Sequence, residues 1–275
     1  MTEFKNKVVI VTGAGGGIGR QHALAFARRG ARVLVNDLGS DVRGEGGGPM
    51  ADSVVQEIRD SGGVAVANYD SVSEPESAAA IVEQAVSEFG TVDILINNAG
   101  FAIYGSVFDL SIDEIESQME TNYFGMIYCT KLFLPLMIKQ KSGHIVNVAS
   151  VAASFGLPGI ASYCASKFAM LGFSEGLKHE ISGTGVGITV VSPIMVKTDF
   201  FEHPSFEKMP KYSPTSLNSK TVAKAIVKAA NSSRLEIITP SVVRVAVWLK
   251  HTFPYFINPL MGKSFKKQLD RTNID

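Results

Sequence analysis

Thr12-Gly13-Ala14-Gly15-Gly16-Gly17-Ile18-Gly19 lies between a β-branched run, Val8–Val11, and a stretch with the composition of a helix. Glycine-rich turns often do no more than reverse the chain. A glycine cluster that joins a strand to a helix has a more specific use. It lets a diphosphate approach the backbone without meeting a Cβ, and the helix N-terminus adds unpaired N–H groups and the positive end of its dipole. That position selects the dinucleotide-binding reading. Gly13, Gly17, Ile18 and Gly19 are its candidate contacts, with Gly19 also allowing the helix to pack close against the strand.

The same pattern continues outward. Further apolar runs occur at Ala31–Asn36, Val64–Ala67, Val92–Ile96, Ile145–Val148, Ile188–Val191 and, more weakly, Leu235–Ile238. Between them lie helix-length stretches such as Ser53–Ser61, Glu76–Phe89 and Asp113–Lys139. Uninterrupted Val/Ile runs read as strands buried on both faces, and their interleaving with helices reads as βαβ units. The expected fold is α/β: one Rossmann-like, doubly wound parallel sheet of about seven strands with helices on both faces. No repeat or linker divides residues 1–275, which predicts a single domain. Gly39–Pro49, with five glycines, reads as a surface loop.

Composition narrows the function classes. Of 275 residues, 45% are hydrophobic and 19% charged, so a sizeable core is available and bulk disorder is excluded. The 26 basic and 26 acidic side chains cancel, which argues against a nucleic-acid partner. Cys129 and Cys164 are too few for a disulfide framework, and a reducing cytoplasm fits best. The residues Met1–Lys7 have no apolar core of the kind a signal peptide carries, and no window reaches 18 uninterrupted apolar residues.

Asp37 ends the second run, 18 residues past Gly19. With Leu38 beside it, it is the candidate contact to an adenosine ribose. Its carboxylate would accept bonds from the ribose hydroxyls and repel a 2′-phosphate, which favours NAD over NADP. The plainer reading is a strand-end Asp capping a turn, and Arg43 nearby keeps NADP in play. Asp70 and Ser71 follow the third run, where an adenine edge would lie, or else form a helix-cap cluster ahead of Pro75. Asn97-Asn98-Ala99-Gly100 closes the fourth run at the same edge, with Asn97, Ala99 and Gly100 as candidate cofactor contacts.

Tyr163 and Lys167 are spaced i, i+4 in a helix predicted from Ala161 to Lys178, which puts them on one face. A lone pair of this kind carries little information. Here Ser150 closes the fifth run at the ligand-binding edge, and Asn122 sits in the long helix after the fourth. Exchange of a proton with an alcohol near neutrality requires a tyrosine lowered from its ordinary pKa of about 10. A neighbouring ammonium and a positive nicotinamide would do that. Taken singly, Tyr163 reads as a half-buried aromatic, Lys167 as a solvated charge, and Ser150 and Asn122 as caps.

Together these pieces resemble the short-chain dehydrogenase/reductase family from Lys7 to about Thr198: the Thr12–Gly19 turn, Asn97–Gly100, Asn122, Ser150 and Tyr163-Cys164-Ala165-Ser166-Lys167, with a Ser150-to-Tyr163 gap of 13. The resemblance implies a seven-stranded sheet and a homodimer or homotetramer. It implies a catalytic tetrad of Asn122, Ser150, Tyr163 and Lys167. In that scheme Tyr163 is the acid/base, Ser150 holds the substrate oxygen, Lys167 also bonds the nicotinamide ribose, and Asn122 positions a water linking Lys167 to solvent. After the sixth run the family usually has Pro-Gly, whereas here Pro193 precedes Ile194. Val196 and Thr198 keep the rest of that motif and are expected, with Pro193, to face the cofactor. Asn36–Val72 looks like the dehydrogenase part of multifunctional peroxisomal β-oxidation enzymes, while the later chain looks more like members acting on lipophilic alcohols. The final Asn273-Ile274-Asp275 does not match a peroxisomal address.

Residues 195–220, rich in Pro, Phe and Met, read equally as a flap over a lipophilic pocket or as packing on the sheet edge. The extension 240–275 is apolar and aromatic, with three lysines within Lys263–Lys267. It reads either as a membrane-contacting element or as packing on its own or a neighbouring subunit, and zero net charge weighs toward packing. His22, His144, His179, His203 and His251 are scattered and no metal is expected. Cys164 is turned about 100° from Tyr163 on the helix and is not expected to act as a nucleophile. The expected activity is hydride transfer between NAD(H) and a lipophilic secondary alcohol or ketone. An NADP-dependent ketone reductase and a catalytically idle dinucleotide-binding scaffold are the alternatives.

Overall fold

The computed structural model describes residues 3–39, 49–207 and 215–259. Most of the glycine-rich loop with Arg43, residues 208–214, and residues 260–275 with their lysines lie outside the described residues.

Seven strands form one parallel sheet: β1 (Val8–Thr12), β2 (Arg32–Asn36), β3 (Val64–Asn68), β4 (Ile94–Asn97), β5 (Gly143–Val148), β6 (Val186–Pro193) and β9 (Glu236–Thr239). A separate two-stranded ladder pairs β7 (Val196–Lys197) with β8 (Leu217–Asn218). The order in the main sheet is β3-β2-β1-β4-β5-β6-β9. The chain runs outward from β1 to β3, then crosses back and continues on the other side from β4. Loops leaving the carboxyl ends of β1 and β4 therefore diverge and open a crevice between them, the place where doubly wound sheets bind ligands.

The apolar runs form strands because both faces are covered. Val9, Val11, Val33, Val35, Ile94 and Ile96 pack on α1 (Gly17–Ala27), α2 (Met50–Asp60) and α7 (Ser219–Ala229). Ile10, Leu34, Leu95, Ile145 and Ile188 point the other way, onto α3 (Pro75–Phe89), α5 (Gly125–Gln140) and α6 (Ala161–Glu180). Each fully buried Val, Leu or Ile contributes roughly 1.5–3 kcal/mol. Local signals set the helix ends. Pro75 stands at the start of α3 and Gly90 ends it in the left-handed conformation (φ 76°). Ser111 and Glu114 form a reciprocal capping box at α4 (Ile112–Met119).

The stretch expected as one helix over 113–139 is broken. A π-helical turn, Glu120–Phe124, joins α4 to α5 and carries Asn122. The cause is the Asn122 amide, which bonds the Phe101 backbone and pulls its own backbone out of α register.

The closest packing is at Gly19. A Cβ there would stand 2.0 Å from the Gly13 carbonyl oxygen and 2.6 Å from the Asn98 amide nitrogen, both held by the fold. Gly19→Ala is expected to cost about 2 kcal/mol of stability, because α1 must lift off the turn. Urea unfolding measures it; a loss below about 0.5 kcal/mol would show that α1 has slack the packing denies.

Candidate active site

The crevice is built from backbone. Gly13 (φ +62°) approaches the loop after β4 so closely that a Cβ would lie 2.8 Å from the Ala99 Cα. Thr12 and Asn98 lock this contact. Thr12 Oγ1 accepts from the N–H groups of Asn98 and Ala99, both at 3.0 Å, and the Asn98 amide donates to the carbonyls of Thr12 and Gly13, both at 2.9 Å. Beyond it α1 starts at Gly17 with Gly16 as its N-cap and no side-chain cap. Its first N–H groups thus face the crevice without a capping side chain, an arrangement that fits an anionic diphosphate. Gly17 (φ +51°) faces Thr198, whose Cβ lies 3.6 Å from where a Gly17 Cβ would be.

Asp37 is aimed back at this turn. Its Oδ2 accepts from the Gly15 N–H at 2.7 Å and its Oδ1 from the Gly39 N–H at 2.9 Å. A Cβ on Gly15 would collide with the Asp37 carboxyl at 2.7 Å. Leu38 beside it is largely exposed. Asp70 is set by a network that sequence reasoning missed. Asn36 donates to Asn68 Oδ1 at 2.6 Å and to the Asp70 carbonyl at 2.8 Å, and Asn68 donates to Asp70 Oδ2 at 2.6 Å and to Gln84 at 2.7 Å. Asn36 and Asn68 are buried strand ends, an unusual place for amides and the signal that was available. Ser71 bonds Ser73 instead, and α3 starts after Glu74 with no side-chain cap bond.

Asn97 and Asn98 divide their work by strand parity. Asn97 shares the face of Leu95, so its side chain turns inward, donating to Asn147 at 2.8 Å and Thr130 at 3.1 Å. Of the residues proposed from sequence at this edge, Asn97 therefore offers only its backbone to the crevice. Asn98, not among them, is the side chain that holds the turn.

Four side chains converge at the carboxyl end of β5. Ser150, two residues past the strand, caps the short 3₁₀ turn Val151–Ala153 by accepting from the Ala152 N–H at 3.1 Å, and its hydroxyl also faces the Tyr163 phenol. Lys167, one turn along α6, brings its Nζ to 5.6 Å from the Tyr163 ring centroid. It is no solvated charge: only 4% exposed, it donates to the Val148 carbonyl at 3.1 Å. Asn122, 1% exposed, reads both backbone groups of Phe101 at 2.9 Å and donates its second N–H to Ser166 Oγ at 3.0 Å. Gly100 separates it from the lysine, since a Cβ there would lie 2.7 Å from Asn122 Oδ1 and 3.5 Å from Lys167 Nζ.

Burial governs the titration of this cluster. It pushes the Tyr163 phenol above its ordinary range, against the downward pull of the Ser150 hydroxyl, and it lowers Lys167 to about 7. The phenol is thus raised in the protein alone; the lowering expected from the sequence draws on the positive nicotinamide as well as the lysine. Cys164, expected to be inert, is buried, its thiol raised by burial, and it accepts the Leu157 N–H at 3.4 Å.

Residues 199–206 cover the tyrosine. Phe200 meets the Tyr163 ring edge-on at 5.8 Å and Phe201 at 5.1 Å, and Phe206 packs on Phe201 at 5.3 Å and on Tyr104 at 5.7 Å. Ser205 Oγ accepts from the Tyr104 N–H at 2.9 Å. Pro193 ends β6, and the Ile194 N–H donates to the Thr239 carbonyl at 3.1 Å, so the missing glycine leaves the β6–β9 pairing intact. Val196 is buried in β7.

Residues 7–208 match the family model described as short chain dehydrogenase. A peroxisomal hydratase-dehydrogenase-epimerase of Saccharomyces cerevisiae is 43% identical over 192 residues, covering 70% of this chain and 21% of its own length. The chain thus spans about a fifth of that relative. Retinol dehydrogenase 10-B of Danio rerio is 33% identical over 268 residues, 91% of this chain and 79% of its own. Among solved structures, a short chain dehydrogenase/reductase from Burkholderia phymatum in complex with NAD superposes with a TM-score of 0.79 at 26% identity, covering 92% of this chain and 95% of that one.

The buried lysine makes a stability prediction with a definite sign. Its folded pKa, about 7, lies below the unfolded value near 10.5, so the unfolded chain binds the extra proton between those limits. The penalty is absent above pH 10.5, grows as pH falls, and is complete below 7. Lys167→Met removes it. Relative to the parent, the variant should gain stability from pH 10 to pH 7, by up to about 1.4 kcal/mol per pH unit. Urea unfolding at both pH values tests it, and a stability difference independent of pH would mean that Lys167 keeps its charge.

Proposed function

Since the chain belongs to the short chain dehydrogenase family, we propose that it is an NAD(H)-dependent oxidoreductase acting on a lipophilic secondary alcohol or ketone, with Tyr163 as acid/base. The observation that carries this reading is the meeting of Tyr163, Lys167, Ser150 and Asn122 at one sheet edge, beside a crevice whose glycines admit a diphosphate. Asp37 supports NAD over NADP. Its carboxylate, held by two backbone N–H groups, puts a negative charge where a 2′-phosphate would have to lie. The NAD-bound neighbour and the retinol dehydrogenase relative agree with the cofactor and with a lipophilic substrate.

In this reading Gly13, Gly17, Ile18 and the start of α1 hold the diphosphate. Asp37 and Leu38 hold the adenosine ribose, Asp70 and Ser71 the adenine edge, and Asn97, Ala99 and Gly100 line the crevice with their backbone. Pro193, Val196 and Thr198 close its nicotinamide end. When bound, the nicotinamide ring supplies or takes up the hydride. Ser150, fixed by its cap bond, orients the substrate oxygen toward Tyr163. In reduction the phenol gives its proton to that oxygen, and because burial favours the phenol this needs no prior ionisation. In oxidation the phenolate takes the proton, and the Ser150 hydroxyl and positive charge stabilise it there. Lys167, poised near neutrality, supplies that charge and exchanges the proton. Asn122 has both amide donors committed, so it acts by fixing the wall beside Lys167, and any water it positions is held by backbone. Phe200, Phe201 and Phe206, within the flap expected over 195–220, keep water from the reacting oxygen.

Tyr163→Phe should reduce turnover of a lipophilic secondary alcohol at least a thousandfold (about 4 kcal/mol) while NAD still binds, as read by protein fluorescence titration. More than about a tenth of parental activity would remove the acid/base role. The parent should bind NAD more tightly than NADP, and Asp37→Ala should narrow the gap; equal dissociation constants in the parent would overturn the preference for NAD.

A further inference from the structure

The helix α8 (Val243–Thr252) is turned inside out. On a helix lying against a protein, apolar residues face the body and charges face water. Here Lys250 points inward. Its Nζ donates to the Ser154 carbonyl at 2.7 Å and sits over the rings of Phe168 and Phe155 at 5.4 and 5.9 Å. Val243 and Val247, on the same side, are only half-buried, and no residue of α8 is fully buried. Val245 and Trp248 face outward at 57% and 59% exposure, continued by Val242 before the helix and by Phe253, Tyr255 and Phe256 after it, with Tyr255 90% exposed. Trp248 and Phe253 meet edge-on at 6.2 Å and hold the two parts of this surface together.

Charge identifies what covers it. From Ile237 to Leu269 there is no Asp or Glu, whereas Arg244, Lys250, Lys263, Lys266 and Lys267 all fall in that span. The zero net charge of the chain is therefore an average, and the segment is purely cationic. A second copy would bring its own Arg244 against this face, and neither α8 nor residues 253–259 hold an Asp or Glu to receive it. An anionic lipid surface matches both the charge and the exposed valines and aromatics. No helix among the described residues is long and apolar enough to cross a membrane, so the contact would be parallel to the bilayer.

We propose that α8 and residues 253–259 form an interfacial docking surface for anionic membranes. This reverses the weighting toward subunit packing that net charge alone suggested. The surface also borders the site: Lys250 ties α8 to Ser154 and Phe155, in the segment that begins at Ser150. A lipophilic alcohol partitioned in the bilayer would reach the site from this side. The docking itself does not depend on the cofactor assignment.

Trp248 is the sole tryptophan, so the unmodified full chain reports on its own docking. Its emission is expected to shift to the blue with vesicles of phosphatidylcholine and phosphatidylglycerol, to be quenched by lipids brominated in the acyl chain, and to respond less to phosphatidylcholine alone. Val245→Asp and, separately, Phe256→Ser should each weaken vesicle binding by about tenfold with NAD affinity unchanged. Emission unaltered by either vesicle would overturn the assignment. So would binding that both variants retain. Emission already blue without vesicles, and reverting on dilution, would give the face to a second copy instead.

Discussion

The contact between Gly13 and Ala99 is the constraint on which the site depends. β1 and β4 are neighbours in the sheet, pairing Val9 with Ile94 through Val11 with Ile96, yet their following loops must leave in opposite directions. Two backbones then pass with no room for a side chain between them. The Thr12 hydroxyl and the Asn98 amide convert this crossing into a fixed joint, since four of their hydrogen bonds bridge the two loops. Everything downstream inherits the geometry. The start of α1 is aimed by the first loop, and Gly100, between Asn122 and Lys167, is placed by the second. The crevice and the cluster of Tyr163, Lys167, Ser150 and Asn122 are in this sense one construction.

Burial then sets the chemistry of the cluster. A lysine among Val148, Met170 and Gly100 has lost most of its hydration, and a phenol under Phe200 has lost much of its own. Both neutral forms gain. The cost is a site that resists ionising alone. The benefit is that charge brought in by a ligand acts across a medium of low dielectric, where it is worth much more than in water. The Ser150 hydroxyl is the one polar group that pulls the phenol downward.

The fold was legible because it is written in runs. Seven β-branched segments appear within a residue or two of the seven strands, and the glycine turn falls where a strand meets a helix. The site was legible only as a set of residue types. Three features escaped for distinct physical reasons. The π turn at Asn122 exists because an amide found the Phe101 backbone, 21 positions away, and no local propensity encodes that. The exchange of roles between Asn97 and Asn98 was readable in principle. Leu95 faces α5, so Asn97 must also, and the next residue is the first free to reach the turn. Burial of Lys167 was not readable, because lysine is ordinarily solvated and only the depth of the Val148 carbonyl decides otherwise.

The extension beyond β9 shows the limit of a whole-chain average. Net charge is a sum, but a surface responds to the charges within about 8–10 Å of it, the screening length at physiological salt. Here the two signs are segregated along the chain, with the acidic residues lying almost entirely before Ile237. The inward turn of Lys250 sharpens the point. With its ammonium held by Ser154 and two aromatic faces, the helix needs no water on its outer side to solvate that charge, and Val245 and Trp248 are left to define what that side prefers. A cation used as the inward anchor frees an apolar face to point outward, and that inversion links the outer surface of the molecule to the segment that begins at Ser150.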